Sequence, residues 1–374
     1  MKIEFFKHNI GPEEISKVTE VLNSVFLTTG DVVGEFEAKF SDYLGCAHTV
    51  GVTSGTAALQ LSLLACGIGP GDEVITTPMS FVATANAILH AGADPVFVDV
   101  EPQTGNIDAD LIEEAINPKT KALLPVHLYG QMADMKQIKA VAARHGLIII
   151  EDAAHCIEGE RDGIRPGQLS QAACFSFYAT KNITSGEGGA ISINEEPISE
   201  KLRRLRLHGI DKTAAERYTK KYQHYDMTIL GWKYNMANIQ AGLLLNQLDL
   251  ITERLEKREA LCRIYEDAFA DVEGIAFPKV LPYSRSARHM FTIWVDPDRR
   301  DDIMWKIQEQ GIGVAINFRP IHLMAYYRDR YGFRPGMFPN AENIGARTIT
   351  LPLYPQLATA EIEYVIEGVN KAIS

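Results

Sequence analysis

The chain has 374 residues, of which 46% are hydrophobic and 23% are charged, and its formal net charge at pH 7 is −11. A chain of this length usually exceeds what one hydrophobic core supports, so we expect two domains. The negative charge argues against nucleic-acid coating or binding to an anionic membrane, because both functions require a cationic surface. No apolar run approaches the length of a transmembrane helix, so we expect no membrane span.

The cysteines and the N-terminal residues bear on the cellular compartment. The five cysteines are scattered, odd in number and never form a C-x-x-C pair, so we expect reduced, mostly buried thiols and no structural metal site. Residues 1–7 lack the apolar region of a signal peptide. Both observations favour a cytoplasmic protein.

Apolar runs and helical patterns alternate in the first two thirds of the chain. Runs typical of strands buried on both faces occupy residues 74–77, 95–99, 122–126 and 147–151. Helical patterns lie between these runs, at residues 83–91, 110–116 and 135–145. Two further strands are predicted at residues 175–177 and 190–193. Buried strands that are joined by helices predict a mostly parallel sheet of the α/β class.

The C-terminal third has a different pattern. Residues 236–269 form a long helical pattern that we interpret as a connector out of the first domain. The elements predicted after it are a strand at residues 289–295 and helices at residues 303–310 and 360–372. We therefore divide the chain into a large α/β domain at residues 1–250 and a small α+β domain at residues 251–374, and we expect that the N-terminal segment can pack on the small domain.

Ligands of open α/β sheets bind beyond the carboxyl ends of the strands, so the segments that follow strands are the candidate site. The first such segment is Thr53-Ser54-Gly55-Thr56, which precedes a helical run. Small residues let the backbone approach an anion, and the start of a helix directs free N–H groups towards it. This arrangement suits a phosphate, although an ordinary Ser or Thr N-cap is the more frequent explanation of such a segment on its own.

A carboxylate, a lysine and an aromatic ring follow other strands. Asp152 comes directly after the strand at 147–151 and could keep a pyridine nitrogen protonated, or could equally cap the next helix. Lys181 lies in a loop before the GEGG run at 186–189. A desolvated lysine has a lowered pKa and forms Schiff bases, whereas most single lysines lie at the surface. Phe81 is a candidate to stack on an aromatic ligand or simply to pack in the core.

These features occur in the order phosphate loop, aromatic ring, carboxylate and lysine. Each has an ordinary explanation when taken alone, but together they predict a site for pyridoxal 5′-phosphate (PLP), with Lys181 as the Schiff-base lysine. Further motifs run nearly from end to end: LTTG at 27–30, SGTAAL at 54–59, GDEVIT at 71–76, FVATAN at 81–86, EDAAH at 151–155, FSFYATKN at 175–182, GWKYN at 231–235 and LPLYP at 351–355.

With these motifs the sequence resembles the DegT/DnrJ/EryC1/StrS family of sugar aminotransferases, which are PLP enzymes of the aspartate-aminotransferase fold. The spacing from Ser176 to Lys181, followed by GEGG, is the most specific part of the resemblance. The resemblance implies Lys181 for covalent attachment of the cofactor and Asp152 at its pyridine nitrogen. The other cofactor contacts that it implies are Phe81 stacked on the ring, His155 beside the cofactor face, and Gly55, Thr56 and Ser176 at the phosphate.

The resemblance also implies a homodimer with shared active sites. Many relatives have Asn at the position of Lys233, where the residue reaches the phosphate bound by the partner subunit. The version with Lys233 looks like the branch that aminates a UDP-4-keto-pentose for lipid A modification. Thr28, Arg319 and His322 are the expected substrate contacts.

The resemblance implies transfer of an amino group from an amino acid, expected to be glutamate, to a keto group, expected at C4, of a UDP- or dTDP-activated sugar in cell-envelope polysaccharide biosynthesis. Relatives that carry His in place of Lys181 perform dehydration, so the lysine favours transamination over a PLP-dependent dehydratase. A non-catalytic regulator on the same fold would be expected to lose Lys181 or Asp152. A nicotinamide dehydrogenase is disfavoured because the Gly-rich run at 67–71 precedes a strand, and a serine hydrolase because no G-x-S-x-G occurs.

Overall fold

Strands and helices alternate along the part of the chain that the computed structural model describes, residues 1–212 and 224–374. The helices in these residues are α1 (Pro12–Leu22), α2 (Asp31–Leu44), α3 (Gly55–Ala65), α4 (Ala83–His90), α5 (Ile112–Ala115), α6 (Met135–His145), α7 (Glu196–Leu205), α8 (Asn238–Asp249), α9 (Ile251–Phe269), α10 (Arg300–Glu309), α11 (Ala325–Tyr331), α12 (Pro339–Arg347) and α13 (Thr359–Ile373). The strands are β1 (His48–Val52), β2 (Glu73–Thr76), β3 (Asp94–Phe97), β4 (Thr120–Leu123), β5 (Ile148–Asp152), β6 (Glu160–Arg161), β7 (Ala172–Ser176), β8 (Gly189–Ile193), β9 (Ser284–Arg285), β10 (Phe291–Trp294) and β11 (Thr348–Leu351).

The central sheet has seven strands in the order β1-β8-β7-β5-β4-β2-β3. The pairs from β7 to β3 are parallel, and β8 alone runs antiparallel to its neighbours β7 and β1. This confirms the predicted mostly parallel sheet. In the antiparallel register, Gly189 at the start of β8 lies opposite both Ser176 and Val52, the last residues of β7 and β1. The carboxyl ends of β1, β2, β5 and β7 therefore meet at one edge of the sheet.

Helix α3 fixes one side of that edge. It has no polar face, and Leu59, Leu61 and Leu63 are all buried in the same core as the strands. A helix that is apolar on all sides is stable only when it is covered on all sides. The N-terminus of α3 is therefore held rigidly beside the ends of β1 and β7.

A second core lies among the C-terminal elements. It contains β10, β11 and residues of α9, α10 and α13, together with Ile3 from the N-terminal segment. Ile3 also forms a parallel bridge with Ile312, so the N-terminal residues pack with these C-terminal elements. Helix α9 begins at Ile251 in the core of the sheet and ends at Phe269 in the second core. The division of the chain at residue 250 stays a prediction.

Two helical predictions differ from the structure. Residues 236–269 do not form one helix, because α8 ends at Asp249 and α9 begins at Ile251. The ψ of Leu250 is 4°, away from the helical value, and this break lets α8 stay on the sheet while α9 runs to the second core. Of the predicted residues 110–116, only Ile112–Ala115 are α-helical. They follow a 3₁₀ turn that the Asp108 side chain caps. None of the described helices is long and apolar enough to cross a membrane.

Candidate active site

The turn from β1 to α3 forms a cradle at the common edge of the strands. Ser54 caps α3, since its side chain accepts a hydrogen bond from the backbone N–H of Ala57 at 3.1 Å. The next backbone N–H groups, those of Gly55 and Thr56, have no acceptor inside the helix. Gly55 packs so closely on β7 that a Cβ atom at this position would lie 2.9 Å from Cβ of Ser176. The residues predicted for a phosphate are therefore brought together.

Asp152 ends β5 as a buried carboxylate in the middle of this edge. Its Oδ2 accepts a hydrogen bond from Oγ1 of Thr84 at 2.7 Å, and its Oδ1 accepts one from the backbone N–H of Ala154 at 3.1 Å. Burial raises the pKa of Asp152, and these hydrogen bonds and the Lys181 ammonium only partly oppose that effect. A cation placed beside this carboxylate would therefore be strongly favoured.

Lys181 lies in the loop from β7 to β8 and is partly buried. The loop is pinned on both sides of the lysine, because Phe177 and Ile183 are fully buried in the core. The side chain of Gln247 on α8 also bonds both the N–H and the C=O of Thr184, at 3.1 and 2.7 Å. Burial lowers the pKa of Lys181 to about 8, with the Asp152 carboxylate opposing it. Near neutral pH a far larger fraction of the amine is therefore unprotonated than in a lysine exposed to solvent, as a nucleophile requires.

Aromatic and imidazole rings line the rest of the site. The ring of Phe81 is 58% exposed, and its centroid lies 6.0 Å from that of Phe318. Phe318 stacks nearly parallel on His155, at 5.7 Å and 15°. Burial, and then the positive charges of Lys181 and His289, hold the pKa of His155 well below its ordinary value. An exposed ring and an uncharged imidazole therefore face the space beside Lys181.

Three of the other predicted residues lie at the surface. Thr28, Lys233 and Arg319 are all exposed. Asn235, two residues after Lys233, donates a hydrogen bond to Oγ1 of Thr28 at 3.3 Å, so these two segments are adjacent. Among the described residues, no side-chain partner of Lys233 is found. Arg319 directly follows Phe318, and within residues 1–212 and 224–374 its guanidinium donates only to the carbonyl of Leu323, at 3.3 Å.

His322 differs from the prediction. Its side chain has no exposed surface, and its Nε2 lies 3.0 Å from Oε1 of Glu342. The ring also packs edge-on against Phe338, with the centroids 4.7 Å apart. A side chain enclosed in this way has no free face for a direct contact with a substrate. Through its contacts with Glu342 and Phe338, His322 instead stabilises the segment that carries Arg319.

Several residues of the site were not predicted from the sequence. Thr84 is the principal donor to Asp152, and Ser80 in turn contacts Thr84, with 2.7 Å between their hydroxyl oxygens. The spacing of four residues between these hydroxyls, just after a strand, is a signal that could have been used. No comparable local signal exists for Phe318, whose ring partners are distant in sequence.

The sequence profile of one aminotransferase family, DegT/DnrJ/EryC1/StrS, matches residues 8–370. The chain belongs to the DegT/DnrJ/EryC1/StrS aminotransferase family. SpsC of Bacillus subtilis (strain 168), a spore coat polysaccharide biosynthesis protein, is 42% identical to it over 370 residues, which cover 97% of this chain and 95% of SpsC.

Solved structures agree with this membership. DesV of S. venezuelae, in complex with a ketimine intermediate, superposes with a TM-score of 0.92 at 34% identity, covering 99% of this chain and 98% of DesV. The PLP form of Spr1654 from Streptococcus pneumoniae superposes with a TM-score of 0.93 at 30% identity, covering 100% of this chain and 98% of Spr1654. The protein is a PLP-dependent sugar aminotransferase with the fold of these enzymes, which confirms the predicted fold, cofactor and class of enzyme.

The residues at the strand edge fit PLP. The cradle at Gly55 has no room for a Cβ atom, but its backbone N–H groups are available to an anion. The buried Asp152 favours a cation. Lys181 carries an amine of lowered pKa. His155 adds a buried Nδ1 that has no hydrogen-bond partner among the described residues. These groups match the phosphate, the pyridine nitrogen and the aldehyde of PLP in chemical type.

The variant Gly55→Ala tests the cradle. Because the new Cβ would lie 2.9 Å from Cβ of Ser176, the start of α3 must move away from β7. We expect the affinity for PLP, measured by absorbance titration, to fall about tenfold or more, which corresponds to about 1.4 kcal/mol of lost binding free energy. The control is Gly34→Ala in α2, where a Cβ meets no atom within 4 Å. Unchanged affinity in Gly55→Ala, or an equal loss in both variants, would contradict the placement of the phosphate.

Proposed function

We propose that this aminotransferase moves the amino group of glutamate to the C4 keto group of a sugar activated by UDP or dTDP. The observation that carries the transfer chemistry is the amine of Lys181, with a pKa of about 8, electrostatically coupled to the buried Asp152. SpsC is a spore coat polysaccharide biosynthesis protein, which supports a substrate from the synthesis of cell-envelope polysaccharide. We place the reaction in the cytoplasm, in keeping with five free cysteines.

The chemistry is divided among the residues at the strand edge. When bound, PLP supplies an electron-accepting ring that stabilises negative charge at the carbon from which a proton is removed. Asp152 keeps the ring nitrogen protonated, and its burial makes that ion pair favourable. Gly55, Thr56 and Ser176 bind the phosphate. Phe81 and His155 would pack against the cofactor ring. Because both side chains are uncharged, they do not compete with the charge of Asp152.

Lys181 has two functions in this proposal. Its amine would hold the cofactor covalently, and the same amine, when free, would remove the proton from the substrate carbon and return it. A base whose pKa lies near the working pH is effective in both directions of proton transfer. The loop that pins Lys181 between Phe177 and Ile183 keeps the amine in place during both steps.

Arg319 is proposed to bind the diphosphate of the nucleotide sugar, with Thr28 as a further substrate contact. The guanidinium is exposed and makes one hydrogen bond to the part of the chain that the structure describes, which leaves most of its donors there available for the paired bonds that a diphosphate accepts. His322 supports this segment through Glu342, which also accepts hydrogen bonds from the backbone N–H groups of Gly336 and Phe338.

We also propose that the enzyme is a homodimer with shared active sites, in which Lys233 reaches the phosphate of the PLP bound by the partner subunit. Lys233 is exposed and has no ion-pair partner among the described residues. Exposed apolar side chains lie close to it and to Thr28 in sequence, including Val25 at 89%, Leu230 at 76% and Leu27 at 45% exposure. A second copy of the chain would cover such a surface.

Lys181→Ala tests the central assignment. We expect turnover with glutamate and a keto sugar to be abolished, and borohydride to leave no cofactor covalently attached, because the amine that forms the bond is gone. Mass spectrometry after reduction measures attachment, and absorbance measures PLP that remains bound without a covalent link. The control is Lys119→Ala, which removes a lysine whose side chain is 70% exposed. Transamination by Lys181→Ala at a near-normal rate would refute the assignment.

Arg319→Ala separates the two halves of the reaction. Loss of the charged, paired hydrogen bonds should raise KM for the nucleotide sugar about tenfold or more, whereas the half-reaction with glutamate should be unchanged. Stopped-flow absorbance with each substrate alone measures the two halves. Arg263→Ala, on α9 with a 70% exposed side chain, serves as the control. Equal impairment of both halves would place Arg319 elsewhere.

Subunit mixing tests the shared site, once Lys233→Ala alone has been found clearly impaired. Homodimers of Lys181→Ala and Lys233→Ala are dissociated, combined in equal amounts and reassociated. With shared sites each heterodimer has one intact site, so statistical mixing restores about a quarter of the wild-type activity. Verified heterodimers that show no more activity than the parent variants would exclude shared sites.

A further inference from the structure

Asn182, the residue directly after Lys181, is a buried junction of three hydrogen bonds. Its Nδ2 donates to Oε2 of Glu158 at 2.8 Å and to the carbonyl oxygen of Ala287 at 3.0 Å. Its Oδ1 lies 3.0 Å from Nδ1 of His289. The loop that carries the reactive lysine is thereby tied to the segment that leads into β10.

The partners of Asn182 fix the orientation of its amide. Glu158 is buried and also accepts a hydrogen bond from the buried Arg258, so both of its carboxylate oxygens act as acceptors. The carbonyl of Ala287 is likewise only an acceptor. Both must face the amide nitrogen, which leaves the amide oxygen facing His289.

The tautomer of His289 follows from the orientation of the Asn182 amide. The Oδ1 of Asn182 can only accept, so Nδ1 of His289 must carry the hydrogen. Burial, and then the positive charges of Lys181 and Arg258, hold the pKa of His289 well below its ordinary value. The ring is therefore neutral, and its Nε2 is an unprotonated acceptor that has no partner among the described residues.

His289 in turn packs on His155. The centroids of the two imidazole rings are 4.5 Å apart with an angle of 31° between the planes, and both side chains are less than a tenth exposed. His155 also stacks on Phe318. His155 thus contacts two rings, and a positive charge on His289 would face the cations Lys181 and Arg258.

We propose that Asn182 and His289 are positioning residues of the active site: Asn182 holds His289 as the neutral Nδ1–H ring, and this ring holds His155 beside Lys181. Neither residue touches the reacting atoms. The arrangement keeps the side of the site that His155 and His289 form next to Lys181 free of positive charge. The kinetic consequence rests on the proposed function, whereas the tautomer of His289 does not.

The tautomer is tested by NMR of the holoenzyme with ¹⁵N-labelled histidine side chains, with the His289 signals assigned by their loss in His289→Phe. In the wild-type protein we expect a protonated Nδ1 and an unprotonated Nε2. In Asn182→Leu, the Nδ1–H loses its acceptor, so a population with the hydrogen on Nε2 should appear. Asn106→Leu is the control, because Asn106 is fully buried with hydrogen bonds to Gln131 and Leu128 and lies outside this network. A wild-type Nε2–H, or an unchanged tautomer in folded Asn182→Leu, overturns the proposal.

The positioning function is tested by two variants of His289, which remain informative if Asn182→Leu does not fold. His289→Phe keeps an uncharged ring against His155, whereas His289→Ala removes it. At saturating glutamate we expect His289→Phe to perform the half-reaction within a few-fold of the wild-type rate. His289→Ala should be slower by roughly 10- to 100-fold, with a smaller change in the apparent Kd for glutamate. Thermal unfolding verifies that both variants are folded.

Two kinetic results would overturn the proposal. If His289→Phe is as slow as His289→Ala, the nitrogens of His289 are needed and the ring does more than position His155. If His289→Ala is as fast as the wild-type enzyme, the ring is dispensable. Failure of the proposed function has a different signature, because a wild-type enzyme that does not react with glutamate would still show the expected His289 tautomer.

Discussion

The amine of Lys181 has to be kept out of water, and much of the architecture follows from that requirement. In solvent the ammonium form dominates at neutral pH, and burial in the loop between β7 and β8 lowers its pKa to about 8. Burial of an amine is unfavourable, so the surrounding chain has to hold the loop in the position that buries Lys181. Here the buried Phe177 and Ile183 anchor the loop on either side, and Gln247 ties it to α8. The carboxylate of Asp152 then supplies the one compensating charge.

The reversal of β8 makes this loop possible. Because β8 runs antiparallel between β7 and β1, the chain returns at the edge where the parallel strands end. Gly189 crosses Ser54 so closely that a Cβ there would lie 2.4 Å from the Ser54 carbonyl oxygen. The contact between Gly189 and Ser54 therefore positions both the loop that carries Lys181 and the start of α3. Phe318 and His289, which both follow α9 in the chain, complete the site, and their rings pack on His155.

Features of the chain that are local in sequence could be predicted, and those that depend on distant partners could not. The bounds of α6 at Met135–His145 agree with its sequence pattern, since the Asp134 cap and Gly146 mark both ends. The buried strands were recognisable as continuous apolar runs, but β1 was missed because Gly51 and Thr49 interrupt its apolar residues. Lys181 and Asp152 were found from motifs at strand ends. The contact of Asn182 with His289 spans 107 residues and leaves no periodic pattern.

Helix α9 has a consequence for the exchange of parts between relatives. It starts in the core of the sheet, ends in the second core, and carries Arg258 between them. The guanidinium is almost completely enclosed, and Glu158, from the segment after β5, is its charge partner. A chimera joined at the break before Ile251 would take Arg258 from one parent and Glu158 and Asn182 from the other. A parent that lacks the matching carboxylate would leave a buried cation uncompensated, at about 3–5 kcal/mol. Exchange of the part of the chain after residue 250 is therefore constrained at residue 258 before any other contact is considered.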